Sequence, residues 1–207
     1  VAYKHPLWEH LMRLDLRLAE RWIKPNSRVL DLGCGDGELL AHLRDNFAIT
    51  GYGLEIDEDK INECVARGVN VIQQNLNEGL DNFADNSFDN VIMTQALQAV
   101  EKPDQLLKDM LRVAKQAIIT FPNFAHWKTR GYLFLKGKMP VSEALPYSWY
   151  NTPNIHLCTF KDFEVLCQQL DIKILNRLAV DDDQQGSVLM KRFPNLMGEV
   201  AIYRVSR

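Results

Sequence analysis

The chain lacks any stretch approaching the roughly eighteen continuous apolar residues of a membrane span, so no membrane-anchoring helix is expected. A signal-peptide layout is also missing, because His10, Arg13, Asp15 and Arg17 break every apolar run near the start. The expected location is therefore cytoplasmic. Cysteine is scarce, and Cys34, Cys64, Cys158 and Cys167 form no C-x-x-C pair, so buried reduced thiols are expected. His156 with Cys158 and Cys167 lacks a further well-spaced ligand pair, and no metal site is expected from that spacing. Positive charge is not in excess either. A net charge of −3 and a pI near 6.0 argue against nucleic acid as the main partner. Repeats, low-complexity tracts and linkers are absent. The 207 residues, 46% of them apolar, fit one large globular domain spanning 1–207.

The most informative run that is present is Val29-Leu30-Asp31-Leu32-Gly33-Cys34-Gly35-Asp36-Gly37. A short apolar strand ends near an acid, turns through alternating glycines and enters an amphipathic helix marked by Leu39, Leu40 and Leu43. Glycine suits a sharp turn where a ligand must approach the backbone, and the following helix start can hold a polar group. The spacing is G-x-G-x-G, which departs from the G-x-G-x-x-G of nicotinamide and flavin binders and disfavours an oxidoreductase.

Three further segments follow in order. Ile49 to Leu54 reads as a strand, with Glu55 at its end, eighteen residues beyond Gly37. An acid about twenty positions beyond a glycine turn is placed to accept ribose hydroxyls. Asp57 reads as the N-cap of a helix to about Arg67. Val69 to Gln73 reads as a third strand, leading to Gln74-Asn75-Leu76, and Ser87-Phe88-Asp89-Asn90-Val91-Ile92-Met93 opens a fourth. Before these, an apolar stripe of Leu7, Leu11, Leu14, Leu18 and Trp22 predicts a helix over about 6–23. After them come a helix starting near Pro103, a fifth strand from Ala117 to Phe121, and a helix over about 161–170. Two closing strands follow, Ile172–Val180 and Glu199–Val205, with Asp181-Asp182-Asp183 in the loop between them. This order predicts an α/β fold with a doubly wound, mostly parallel seven-stranded sheet.

Residues 122–158 form an insertion after the fifth strand, far longer than the usual connection of two to six residues. Its wealth of Trp, Tyr and Phe argues against disorder. It lies at the carboxyl end of the sheet, where open α/β folds bind ligands.

Taken together, the glycine turn, Glu55 and the Ser-Phe-Asp segment resemble the class I S-adenosylmethionine (SAM) methyltransferases, a Rossmann-like fold. The combination LDLGCGDGELL, SFDNVIMTQALQAV, FPNF-HW, GKMP and LPYSWYNTPNIHLCT is more specific and resembles the MetW family of methionine biosynthesis, from about Ala19 onward. The resemblance implies that SAM or S-adenosylhomocysteine is held by Asp31, Gly33, Cys34, Gly35, Gly37, Glu55, Ile56, Asn75, Leu76 and Thr94. Asn75 stands where such proteins often carry an acid for the adenine amino group, and its amide oxygen can still accept. The resemblance further implies a partner, homoserine O-acyltransferase (MetX). Trp127, Arg130, Tyr147, Trp149, Tyr150 and His156 of the insertion are candidates for a partner surface or a lid over the cofactor.

A general base for methyl transfer is not evident. The fourth strand runs into Thr94-Gln95-Ala96-Leu97-Gln98 and the fifth into Phe121-Pro122-Asn123-Phe124, neither with an acid or a histidine. His126 and His156 in the insertion lack an orienting partner visible in the sequence. Two functions are therefore weighed: an activating SAM-binding partner of the acyltransferase, and a SAM-dependent methyltransferase acting on a small molecule. The basic cluster Lys128, Arg130, Lys136 and Lys138 reads as solvated or partner-facing.

Overall fold

In the computed structural model, residues 14–142, 145–181, 184–185 and 188–207 are described. The first half of the helix expected over 6–23 lies outside them, as do Asp182 and Asp183. The described part is α1 (Leu14–Ala19), followed by a 3-10 turn at Glu20–Trp22. The chain continues through β1 (Arg28–Leu32), α2 (Glu38–Phe47), β2 (Thr50–Glu55), α3 (Glu58–Ala66), β3 (Val71–Gln73), β4 (Phe88–Thr94), α4 (Pro103–Val113) and β5 (Ala114–Pro122). Then come α5 (Trp127–Lys136), α6 (Phe160–Gln169), β6 (Lys173–Asp181), β7 (Gln184–Gln185), α7 (Val188–Arg192), α8 (Pro194–Met197) and β8 (Val200–Ser206).

The strands form one sheet in the order β3-β2-β1-β4-β5-β8-β6-β7. β1 to β5 pair in parallel, and β8 runs antiparallel to both β5 and β6. This is the expected seven-stranded mixed sheet, lengthened at one edge by the two-residue β7. The order in which successive strands are laid down reverses between β1 and β4, which are themselves parallel neighbours. In open α/β sheets such a switch point leaves a crevice at the carboxyl ends of the strands.

The central strands are buried on both faces, which is why they read as continuous apolar runs rather than alternating ones. Side chains still alternate between faces. Val29, Ile92 and Ile118 pack with Leu39, Leu40 and Leu43 of α2 on one side. Leu30, Leu32, Val91, Met93 and Phe121 face α4 and α6 on the other. There Phe121 stacks on Tyr203 at 6.0 Å between ring centroids, and Phe163 lies 4.6 Å from Tyr203. Such aromatic pairs contribute about 0.5–1.5 kcal/mol each beyond the area they bury.

Local signals place the helix starts. Asp57 caps α3, its carboxylate accepting from the amides of Asp59 and Lys60, and Pro103 occupies the first turn of α4. Thr159 caps α6 by accepting from the amide of Asp162. β5 begins at Ala114, three residues before its expected start, because Phe88 and Asn90 of β4 pair with Ala114 and Gln116. Residues 122–158 are not all loop, since α5 occupies ten of them and ends at Gly137 in the left-handed region. Among the described residues, no helix is long and apolar enough to cross a membrane.

Candidate functional site

The glycine turn sits at the end of β1, above the buried Asp31. The amides of Gly33 and Cys34 donate to the carbonyl of Leu54 at 2.9 and 3.1 Å, tying the turn to the end of β2. Gly37 has φ +76, and a Cβ there would lie 2.9 Å from Cys64 Sγ and 3.3 Å from Val69 Cγ2. Gly35, at φ +57, is different: a Cβ there would meet nothing within 4 Å. The backbone is open on that side, which leaves room for a ligand against the turn.

Glu55 closes the arrangement. The Gly35 amide donates to its Oε2 at 2.9 Å, while its Oε1 accepts from the amides of Ile56 and Asp57 at 2.8 and 3.1 Å. The acid predicted from spacing therefore staples the end of β2 to the glycine turn. Ile56 beside it is exposed. Asn75 Oδ1 accepts from the Asn77 amide at 3.0 Å, capping the 3-10 turn Leu76–Glu78, and Leu76 packs half-buried against the main core. Thr94 pairs with Thr120 at the end of β4, and Ala96 just beyond it approaches Gly33. These residues share one end of the sheet, around the switch point. A carboxylate beside a glycine-lined opening, with an exposed apolar side chain next to it, suits a ligand with vicinal hydroxyls and a planar ring.

Buried polar groups organise the insertion. Asn123 donates to the carbonyls of Asn195 and Gly198 at 3.1 and 2.7 Å and accepts from the Ala125 amide at 3.0 Å. The amides of Ile155 and His156 donate to the carbonyl of Gln98 at 2.8 and 3.0 Å, pinning the insertion's return to the turn after β4. Gln98 and Asn123 escaped the sequence reading as anchors, because an amide side chain advertises no particular partner. Arg130 Nε donates to the Ala125 carbonyl at 2.6 Å. Trp127 and Tyr147 are exposed, and Trp149 and Tyr150 meet edge to face at 5.8 Å between centroids.

The two insertion histidines have different surroundings. His156 is exposed, with Nε2 3.4 Å from the Glu101 carbonyl. His126 is buried, its Nδ1 3.4 Å from Glu199 Oε1, and Lys128 Nζ reaches the same oxygen at 2.9 Å. Lys128 is thus engaged with Glu199 rather than merely solvated. A cleft of about 200 Å³ opens onto this group, lined by Thr129, Tyr132, Val141, Leu145 and others, with none of the glycine-turn residues among them.

Cys34 and Cys64 lie with their sulfurs 3.8 Å apart behind the glycine turn. Burial, then the negative charge of Asp31, pushes the Cys34 thiol far above its ordinary range, and burial also raises that of Cys64. Both are neutral packing groups rather than nucleophiles.

Comparison with known proteins gives the chain a family and a fold. A family described as methionine biosynthesis protein MetW matches residues 13–205. The bifunctional methionine biosynthesis protein MetXA/MetW of Rhodopirellula baltica is 38% identical over 194 residues, covering 89% of this chain and 31% of that protein. The ubiquinone/menaquinone biosynthesis C-methyltransferase UbiE of Stenotrophomonas maltophilia (strain R551-3) is 31% identical over 132 residues, covering 56% of this chain and 51% of that one. The chain thus spans from under a third to about half of these curated relatives. Among solved structures, an S-adenosylmethionine-dependent methyltransferase from Mesorhizobium loti superposes with a TM-score of 0.67 at 15% identity, over 92% of this chain and 96% of that one. At that identity the likeness establishes the fold, which is the class I methyltransferase fold.

Proposed function

The chain belongs to the MetW family, and from that membership we propose that it is a SAM-binding partner that activates homoserine O-acyltransferase in methionine biosynthesis. The observation that carries the partner reading is the Rhodopirellula relative, whose name joins MetXA and MetW in a single chain. Fusion holds two modules at high effective concentration, an arrangement that favours modules working in contact. The insertion supplies a surface suited to such contact. Phe134 is 88% exposed, Leu135 76%, Trp149 75% and Tyr150 73%. Large apolar side chains this open mark interaction surfaces when they cluster in one segment. Lys136 and Lys138 beside them suit an acidic rim on the partner.

The cofactor reading rests on the crevice. Gly33, Cys34, Gly35 and Gly37 would hold the cofactor against the backbone, the Glu55 carboxylate would accept from its ribose hydroxyls, and Asn75, whose Oδ1 also accepts from the Asn77 amide, would take the adenine amino group. Asp31, Ile56, Leu76 and Thr94 complete the surround. When bound, SAM supplies an electrophilic methyl group on sulfur. The strand ends after Thr94 and Phe121 offer no acid or histidine to take a proton from an acceptor. Binding rather than transfer is therefore the reading favoured here. The second reading, methyl transfer to a small molecule, draws on the identity with UbiE, which covers 56% of this chain.

Gel filtration of the purified chain with its cognate homoserine O-acyltransferase tests the partner reading. Co-elution in a defined ratio is expected, and separate elution at micromolar concentrations contradicts it.

A further inference from the structure

Three segments at or just beyond strand ends converge, two of their side chains, His126 and Glu199, lining the cleft. His126 follows β5, Asp181 closes β6, and Glu199 immediately precedes β8. The antiparallel pairings of β8 with β5 and with β6 bring them together, with Pro122 opposite Val200 and Val180 opposite Val200. One nitrogen of His126 and one carboxylate oxygen each from Asp181 and Glu199 all lie within 4.8 Å of one another. His126 and Glu199 are buried and Asp181 is half-buried.

We propose that His126, Asp181 and Glu199 form a site for a divalent transition-metal ion, with zinc as the reference case. Two ligand atoms held at ~2.0–2.2 Å on a tetrahedral zinc stand about 3.4 Å apart. His126 Nδ1 and Glu199 Oε1 are separated by 3.4 Å. One imidazole and two carboxylates form a mixed N/O donor set of the kind that suits zinc, iron or manganese. Three protein ligands leave a fourth position, and the cleft of about 200 Å³ lined in part by His126 and Glu199 offers room for water or a small anion. An open position of this kind distinguishes a ligand-binding metal site from a closed structural one.

Among the described residues, Lys128 competes for Glu199. Its ammonium lies 2.9 Å from Glu199 Oε1, yet 55% of its side chain is exposed, so it can swing outward when a metal enters. Two carboxylates around one imidazole attract a cation, and Lys128 meets that demand at Glu199. No short-range sequence spacing announces this set, because its three members come together only through the sheet. The site lies apart from the glycine turn and stands independently of the partner reading.

The test uses the full chain, stripped of metal by a chelator and titrated with zinc chloride by calorimetry, with X-ray absorption to read the ligand atoms. One zinc per chain with a purely nitrogen and oxygen shell is expected. His126→Ala and Asp181→Asn should each weaken binding by at least the roughly ten-fold that loss of even an outer-sphere partner costs. Lys128→Met should strengthen it by freeing Glu199. Should His126→Ala fail to fold, Asp181→Asn at the half-buried strand end carries the test. Absence of stoichiometric binding, a sulfur-containing shell, or affinity unchanged in the His126 and Asp181 variants overturns the proposal.

Discussion

Replacing Phe134 and Leu135 together with aspartate should abolish complex formation with homoserine O-acyltransferase and leave the thermal unfolding of the chain itself unchanged. Both side chains lie on α5 and point largely into solvent, so the fold loses little when they go. The partner loses two apolar anchors and must instead desolvate two charges. Truncating one interface hot spot costs about 2 kcal/mol or more, so the pair is expected to weaken binding by at least roughly a hundred-fold. Trp149→Ala should act in the same direction with a smaller effect. The measurement is calorimetric titration of the acyltransferase into each variant. Equal affinity for wild type and the double variant would mean that the exposed face of α5 is not the docking surface.

The second large effect separates two glycines within the same turn. Gly37→Ala should destabilise the protein, because its Cβ must fit 2.9 Å from Cys64 Sγ in a left-handed backbone. Backbone strain of ~1–2 kcal/mol adds to an overpacking cost of ~1–3 kcal/mol. At this chain length each kcal/mol lowers the unfolding midpoint by about 2–4 °C, so a drop of roughly 10 °C is expected. Gly35→Ala bears only the strain, since its Cβ meets nothing within 4 Å. It should fold with a loss of a few degrees and still bind SAM poorly, by roughly 10–200-fold, the factor one misplaced carbon commands in a fitted pocket. Thermal unfolding and SAM titration of both variants check this. Wild-type SAM affinity in Gly35→Ala would place the cofactor elsewhere.

Most of what was legible in the sequence is local. The alternating glycines require left-handed backbone, and Gly33, Gly35 and Gly37 all have positive φ. Asp57 and Pro103 signal helix starts through chemistry confined to one turn. Glu55 was readable because its distance from the glycines matches one helix and one strand of a βαβ unit. Its bond to the Gly35 amide follows from that spacing.

What escaped the reading depends on pairing between distant segments or on exposed apolar surface. α5 carries Gly131 in its interior, which costs about 1 kcal/mol relative to alanine and weakens the helical signal. Its Phe134 and Leu135 face solvent, so the helix shows no apolar stripe turned toward a core. Ala114, Lys115 and Gln116 do not look like strand residues, and β4 recruits them. The meeting of His126 with Glu199 is set by the antiparallel edge, where register rather than spacing brings side chains together. Asn75 was read for its amide oxygen, and the structure shows that oxygen already capping the turn at Leu76.

On the proposed reading, this chain activates an acyltransferase by contact. The rate of homoserine acyl transfer by the purified cognate enzyme, measured with and without this chain and with no SAM added, tests it most directly. A large gain in rate that saturates at a fixed ratio of the two proteins is the predicted result. No gain, either before or after SAM is supplied, would contradict the account and favour methyl transfer to a small acceptor instead.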